Sequence, residues 1–170
     1  GHLVDPVPRG PVSAADAELP INLGGSDDPM LAGLKAARAM GIEAFLINLE
    51  TSKLQGRGGA GFPAAFKWRA VRSQSVTERY VVCNADEGEP GTFKDRECML
   101  RRPLLVLEGL AIAAYVVQAS EVILYVRGAF GDCRRALQAA LDAHQDTLGF
   151  VNWRFVDGHG AYICGEETAL

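Results

Sequence analysis

The segment QGRGGAGFPAAFKW, which starts at residue 55, combines many glycines with charged and aromatic side chains. Successive glycines let main-chain N–H groups converge on an anion, because no Cβ atoms stand in the way. Arg57 and Lys67 add positive charge for a phosphate or an electron-rich ring. A stacking face for a heterocycle could come from Phe62, Phe66 and Trp68. The alternative is a flexible loop lying over aromatic side chains of the core.

The same segment satisfies the dinucleotide pattern G-x-G-x-x-G between Gly56 and Gly61. That pattern is meaningful only between a strand and a helix. The residues before it, IEAFLINLETSKL, repeat apolar side chains at helical spacing, so we predict a helix there. The sequence also contains no His-centred proton relay in its motifs. A conventional Rossmann dehydrogenase is therefore disfavoured.

A second cluster, CNADEGEPGTFKDRE, starts at the end of an expected strand. Asn84, Asp86, Glu87 and Glu89 would lie at the carboxyl edge of a sheet, where open α/β folds bind ligands. Carboxylates accept hydrogen bonds from sugar hydroxyls, and an amide both donates and accepts. The same groups could bind Mg²⁺ or Ca²⁺, although the spacing does not follow the EF-hand. The remaining alternative is a solvated acidic loop.

The third cluster is GAYICGEETAL, at the end of the sequence. Gly165 before Glu166 and Glu167 indicates a helix start with acidic residues in its first turn. Tyr162 could lie over a ring. Taken alone this signal is weak, because glutamates are common in first turns for reasons of helix stability.

The elements that must position these clusters alternate between helix and strand. The segments RYVVCNADE, EVILYVRG and VNWRFVDG predict strands. Helical spacing is found in DDPMLAGLKAARAM, IEAFLINLETSKL, FKWRAVRS and DCRRALQAALDAHQ, and in the apolar segment from Pro103 to about Ala119. We predict an α/β fold with a parallel sheet covered by helices on both faces. DEGEPGTFKDRE is expected to be a polar loop, residues 1–25 an extended linker or arm, and residues 26–170 the α/β domain.

Composition excludes several classes of protein. A net charge of -4 argues against general nucleic-acid binding. The longest apolar run carries Glu108 and is too short to span a bilayer, and no signal-peptide pattern is present, so we expect a cytoplasmic location. The four cysteines form no C-x-x-C pair, and only three histidines are present. We therefore expect buried reduced thiols and no metal site.

Together the three clusters are far more specific than any one of them. GRGGAGFP, KW, CNADEGEPGTFKDR, LLVLEGLAIAAY, VRG and GAYICGEETAL follow one another in order over roughly residues 30–170. This arrangement resembles the NADH-binding FMN flavoprotein subunit of respiratory complex I. It is equally similar to the diaphorase subunits of NAD-dependent formate dehydrogenases and bidirectional hydrogenases.

The resemblance implies FMN bound to a Rossmann-like parallel sheet with flanking helices. The implied FMN contacts are Gly56, Arg57, Gly58, Gly59, Lys67, Asn84, Asp86, Glu87, Tyr162, Gly165 and Glu166. The implied NADH contacts are Phe62, Lys67, Glu89 and Glu167. The activity is then an NADH dehydrogenase or diaphorase reaction, hydride transfer from NADH to FMN, with no catalytic residue beyond the bound flavin. The implied partners are a thioredoxin-like [2Fe–2S] subunit and other subunits of a redox complex, with no membrane insertion of this chain.

Some positions depart from the family. The cysteines that ligate a [4Fe–4S] cluster in the full-length family are absent, so we expect a fragment of a larger subunit. Ala70 stands where a second adenine-stacking aromatic is expected, and Ala129 where the family commonly has Glu. These departures leave a second hypothesis open, a non-catalytic scaffold that retains the flavoprotein fold. The parent complex, with a quinone, formate or hydrogen system, is not decided by these motifs.

Overall fold

The computed structural model describes residues 27–56 and 60–159. Its helices are α1 Ala32–Met40, α2 Ile42–Thr51, α3 Ala64–Arg72, α4 Lys94–Arg101, α5 Pro103–Val117, α6 Gly131–Ala143 and α7 Gln145–Leu148. Its strands are β1 Tyr80–Ala85, β2 Glu121–Arg127 and β3 Asn152–Gly158. The predicted arm at residues 1–25 lies outside the described residues.

The three strands form one parallel sheet in the order β1-β2-β3. Ala85 pairs with Val126, and Val126 pairs with Asp157, so all three strands end at about the same level. This confirms the predicted parallel sheet with flanking helices. It also brings the ends of β1, β2 and β3 to a single edge, which we call the carboxyl edge.

The core lies between the sheet and helices α5 and α6. In the central strand, Val122, Leu124 and Val126 are at most 2% exposed. Leu124 and Val126 share one buried cluster with Leu107, Ala111, Leu137 and Leu141 of the two helices. Helix α5 also contacts α1, α3 and α4, which explains its apolar character on nearly every side. No helix in the two described ranges is both long and apolar enough to cross a membrane.

The expectation of helices on both faces of the sheet is not met within the described residues. Tyr80 and Val82 of β1 point to the second face and are 49% and 44% exposed. The reason is the strand order, which advances in one direction from β1 to β3. Right-handed crossovers that advance in one direction fall on the same side of a sheet, and α5 and α6 indeed contact each other.

The predicted polar loop DEGEPGTFKDRE was wrong for its last four residues, because α4 begins at Lys94. Residue Phe93 before the helix provides no side-chain cap. The first turn is capped instead by Glu87, whose carboxylate accepts the N–H groups of Asp95 and Arg96. A cap from so far upstream leaves no local signal, so the helix could not be seen from the pattern of capping residues.

Two other helices are capped over long distances. Asp27 accepts the N–H groups of Leu104 and Leu105 at the start of α5, at 2.9 and 3.2 Å. Glu108, buried within α5, accepts the N–H of Leu34 in the first turn of α1 at 3.0 Å. These carboxylates tie the helical layer together, because each satisfies donors that a helix leaves unpaired at its start.

Candidate functional site

The two ends of the glycine-rich segment, which we call the turn, are paired with each other. Gln55 and Pro63 form an isolated antiparallel bridge, and the N–H of Gly56 donates to the carbonyl of Phe62 at 2.9 Å. Gly61 has a φ of 60°, in the left-handed region that favours glycine. The turn is therefore held at its two ends, as a loop that presents main-chain groups to a ligand must be.

Several predicted site residues lie outside the described part of the chain. They are Arg57, Gly58 and Gly59 in the turn, and Tyr162, Gly165, Glu166 and Glu167 in the third cluster. The remaining predicted residues fall into two groups, one beside the turn and one at the carboxyl edge.

Beside the turn, two phenylalanine rings lie in contact and face solvent. Phe62 and Phe66 are 47% and 63% exposed, with ring centroids 5.6 Å apart in an edge-to-face arrangement. They line a cavity of about 530 Å³ together with Leu49, Leu54 and Arg69. Exposed aromatic rings around an apolar cavity are typical of a surface that a ligand or a partner covers.

Trp68 does not join these rings. It is half-buried and stacks on Phe45 of α2, with centroids 6.3 Å apart and planes 9° from parallel. Residues two apart on a helix point to different faces, so Phe66 and Trp68 cannot share one stacking surface. Trp68 therefore holds the α2–α3 hairpin together, as do the ion pairs of Arg69 with Glu43 and Glu50 at 3.6 and 3.4 Å.

Lys67 follows Phe66 on α3, and its side chain is exposed. Position 70, one helical turn after Phe66, is an exposed alanine. Phe66 thus places an aromatic ring on the same side of α3 as Ala70, where the sequence lacks the expected one.

At the carboxyl edge, burial separates the predicted acidic residues into two kinds. Asp86 and Glu87 are 6% and 7% exposed, whereas Glu89 and Asn84 are exposed. The side-chain oxygen of Asn84 accepts the N–H of Asp86 at 3.4 Å, which turns the chain at the end of β1. The alternative of a solvated acidic loop is therefore wrong for Asp86 and Glu87. It remains valid for the side chain of Glu89.

The Asp86 carboxylate lies against the end of β3. A Cβ atom on Gly158 would be 2.8 Å from Asp86 Cγ and within 3.0 Å of both Oδ atoms. Because β2 separates β1 from β3, the chain after β1 must cross the end of β2 to reach this position. Neither Oδ atom has a hydrogen-bond partner among the described residues. A buried acceptor pair without donors is uncommon in proteins and marks a position where a ligand can donate.

Sequence reasoning missed the residues that support this edge from β2 and β3. Arg127, the last residue of β2, donates from Nη1 to the carbonyl of Glu87 at 2.6 Å. Its guanidinium also lies 5.8 Å from the Phe130 ring centre. The motif VRG, which ends a predicted strand, was the available signal for Arg127. Gly158 had no comparable signal, because its importance comes from a contact with Asp86.

The thiols of the described residues are free, at Cys83, Cys98 and Cys133. Burial raises the pKa of Cys83 and of Cys133 from 9.0 to about 11. Neutral thiols of this kind are poor nucleophiles and poor metal ligands, which agrees with the expected structural role of the cysteines. No group of three or more potential metal ligands occurs within residues 27–56 and 60–159.

The donors and acceptors of the site define a ligand type. The Asp86 oxygens fit hydroxyl or imide N–H donors, such as those of a polyol chain or a heterocyclic ring. The glycine-rich turn fits an anionic group, and the Phe62–Phe66 rings fit a flat apolar one. A nucleotide-like cofactor with a polyol and a ring system meets these requirements.

Comparison with known proteins agrees with this ligand type. The sequence model of the Nuo51 FMN-binding domain matches residues 49–170. An NADH-quinone oxidoreductase subunit of Rhizobium meliloti is 46% identical over 132 residues, covering 72% of this chain and 31% of that protein. The alpha subunit of the NAD-reducing hydrogenase HoxS of Cupriavidus necator is 42% identical over 139 residues, covering 75% of this chain and 23% of that protein.

A solved structure, the NAD⁺-reducing [NiFe]-hydrogenase in the air-oxidized state, superposes with a TM-score of 0.78 at 37% identity. The match covers 89% of this chain and 27% of that one. The chain thus spans a third or less of these relatives' length, and the resemblance inferred from the three clusters is confirmed. By the extent of the match and the level of identity, the chain belongs to the family of the Nuo51 FMN-binding domain.

Proposed function

We propose that this domain binds FMN at the carboxyl edge and transfers a hydride from NADH to it. In this role it is the electron-input module of a multi-subunit NADH dehydrogenase or NAD-dependent diaphorase. The observation that carries the proposal is the buried Asp86 carboxylate, which has no hydrogen-bond partner among the described residues. In an apo domain such a group is unfavourable, and a ligand that donates to it removes the penalty.

The FMN side of the site combines the turn with the carboxyl edge. We assign Asp86 and Asn84 to the polyol chain and the ring edge, and Gly56, Arg57, Gly58, Gly59 and Lys67 to the phosphate side and the flavin. Glu87 contributes through its position beside Asp86. Tyr162, Gly165 and Glu166 complete the contacts by family resemblance.

The direction of α3 supports the proposal that the turn lies near the carboxyl edge. Arg72, at the end of α3, donates from Nη1 to the carbonyl of Val116 in the last turn of α5 at 3.2 Å. The end of α3 therefore lies at the end of the sheet where β1 begins. A helix of this length extends roughly 13 Å. We expect its start, with the glycine-rich turn, to reach back along α5 towards the carboxyl edge.

The NADH side uses the exposed rings. We assign Phe62 to stacking on the adenine and Phe66 to the second wall of the same cavity, with Glu89 and Glu167 at the NADH sugars or carboxamide. Two rings in edge-to-face contact leave one face open to a base. Lys67 is placed near the flavin and the nicotinamide.

When bound, FMN supplies the redox chemistry, since its ring accepts a hydride and the electrons pass on to further centres. The residues of this chain bind and orient FMN and NADH, and they exclude water from the site. Asp86 and Asn84 fix the ring edge, the Phe62–Phe66 rings hold the far end of NADH, and no side chain is needed as a general base. Holding the nicotinamide ring against the flavin ring accelerates hydride transfer through proximity and orientation.

The partners and location follow from the same proposal. We expect a thioredoxin-like [2Fe–2S] subunit to accept electrons, with other subunits deciding the final donor or acceptor. We place the domain on the cytoplasmic side. The free thiols of Cys83, Cys98 and Cys133 support a reducing compartment.

An anaerobic titration tests the proposal. The 170-residue chain is reconstituted with FMN and titrated with NADH while flavin absorbance is followed. We expect bleaching at close to one NADH per flavin. Tight FMN binding without bleaching would favour the non-catalytic scaffold. An FMN-soaked crystal with the turn and the carboxyl edge on opposite sides of the molecule would overturn the site.

A further inference from the structure

Glu87 and Asp86 are adjacent buried carboxylates with different surroundings. Both oxygens of Glu87 are in use: Oε1 accepts the N–H of Asp95 at 3.1 Å, and Oε2 accepts the N–H of Arg96 at 3.2 Å. These are the second and third residues of α4, whose N–H groups have no partner within the helix. Each Glu87 oxygen keeps a second acceptor site, but two main-chain donors already fix the orientation of this carboxylate, whereas the Asp86 carboxylate has no donor among the described residues.

The main chain of residue 87 is held from the other side. Its carbonyl accepts from Nη1 of Arg127 at 2.6 Å, at the end of β2. Residue 87 is thus fixed to α4 through its side chain and to β2 through its carbonyl. The peptide that follows Asp86 is part of this arrangement, so the direction of the Asp86 carboxylate depends on it.

We propose that the Glu87 side chain is a positioning residue and not a direct ligand of the flavin. It caps α4 and thereby holds the Asp86 carboxylate against Gly158, in the orientation that receives hydrogen bonds from FMN. This inference rests on the proposed function and sharpens it. It replaces the expectation from sequence that the Glu87 carboxylate itself contacts FMN.

The chain provides a matched control in Glu108. Its carboxylate is also buried, at 8% exposure, and also accepts a main-chain N–H in the first turn of a helix, that of Leu34. Glu108 faces α1 and not the carboxyl edge. Glu87→Gln and Glu108→Gln therefore make the same substitution at two buried helix caps, of which only one supports Asp86.

The test is a double-mutant cycle on the full 170-residue chain. FMN dissociation constants are measured by flavin fluorescence for the wild type, Asp86→Asn, Glu87→Gln and the double variant, together with urea unfolding of each apo protein. We expect Glu87→Gln to weaken FMN binding roughly tenfold, and to have little further effect once Asp86 is Asn, because the two residues act as one unit. Glu108→Gln should keep wild-type FMN affinity, and it should lose less stability than Glu87→Gln because the amide oxygen can still accept the single N–H of Leu34.

If the fold-losses of FMN affinity in Glu87→Gln and Asp86→Asn multiply in the double variant, Glu87 contacts FMN directly. That result would overturn this inference and leave the proposed function intact. Failure of the wild type to bind FMN would overturn the proposed function and, with it, this inference. If Glu87→Gln does not fold, Arg127→Met removes the other support of residue 87 and must show the same non-additivity with Asp86→Asn. Hydrogen exchange gives a further readout: the amides of Asp95 and Arg96 should exchange faster in Glu87→Gln than in Glu108→Gln.

Discussion

The α2–α3 hairpin and the carboxyl edge of the sheet both depart from the usual pattern of burial. The hairpin exposes aromatic side chains, whereas the carboxyl edge buries carboxylates. In the hairpin, Phe62 and Phe66 are 47% and 63% exposed. At the carboxyl edge, Asp86 and Glu87 are only 6% and 7% exposed. Large apolar patches on a surface and charges in an interior both oppose folding, so each needs a separate reason.

The comparison separates structural from binding roles. Glu87 has two main-chain donors that compensate its burial, as Trp68 has Phe45 to stack on in the hairpin. Asp86 has no such compensation among the described residues, and the Phe62–Phe66 rings have none from the core. In each region one residue stabilises the fold, while its neighbour is left for a ligand to satisfy.

The largest expected effect comes from Asp86→Asn. A hydrogen bond to a charged group contributes about 1.5–3 kcal/mol, so FMN affinity should fall by roughly 10- to 100-fold. The apo protein should become more stable, since a buried charge without partners is removed. FMN titration measures the expected loss of affinity, and urea unfolding of the apo form measures the expected gain in stability. A loss of both affinity and stability would mean that Asp86 is a structural residue.

Phe66→Ala tests the hairpin side of the comparison. Stacking of a base on an aromatic side chain contributes about 1–3 kcal/mol, and we expect the KM for NADH to rise roughly tenfold with apo stability unchanged. Trp68→Ala is the control, because its ring packs on Phe45 and its loss should lower stability instead. Steady-state kinetics and thermal unfolding distinguish the two. An unchanged KM for NADH in Phe66→Ala would remove Phe66 from the NADH site.

Gly158→Ala should produce a smaller change at the carboxyl edge. The added Cβ would lie 2.8 Å from Asp86 Cγ and would shift the carboxylate, so FMN binding should weaken several-fold. Gly109→Ala in α5 adds a Cβ with nothing within 4 Å. That control should keep FMN affinity and gain up to about 1 kcal/mol of stability from helix propensity. Equal FMN affinity in both variants would show that Asp86 has room to move.

The smallest effect concerns alkaline pH. The pKa of Cys83 and of Cys133 is raised from 9.0 to about 11 by burial, so the folded state retains these protons more tightly than the unfolded state. Their contribution to stability is complete below pH 9 and is lost as the pH rises from 9 to 11.

Fluorescence of Trp153 in β3, measured in a Trp68→Phe background, should show a urea midpoint that falls over this range. The urea midpoint of Cys133→Ala should fall less steeply over the same pH range. A midpoint independent of pH would contradict the burial of these two thiols, one in β1 and one in α6.

Most elements were predictable because their signals are local. β-branched runs identified the three strands, and apolar spacing with Gly41 identified the boundary between α1 and α2. The apolar run after Pro103 was correctly assigned to a buried helix. Helix α4 was missed because its charged sequence, KDRECMLR, has no apolar stripe and its cap comes from Glu87.

The sequence by itself determined the parallel α/β fold, the family and the two clusters that carry the proposed site, since these depend on local spacing and motif order. It could not distinguish Asp86 from Glu87, which are neighbours with the same chemistry. Only the tertiary structure decided that Glu87 caps α4 and Asp86 meets Gly158. The physical reason is that a carboxylate takes its role from the donors around it, and those donors come from segments distant in sequence.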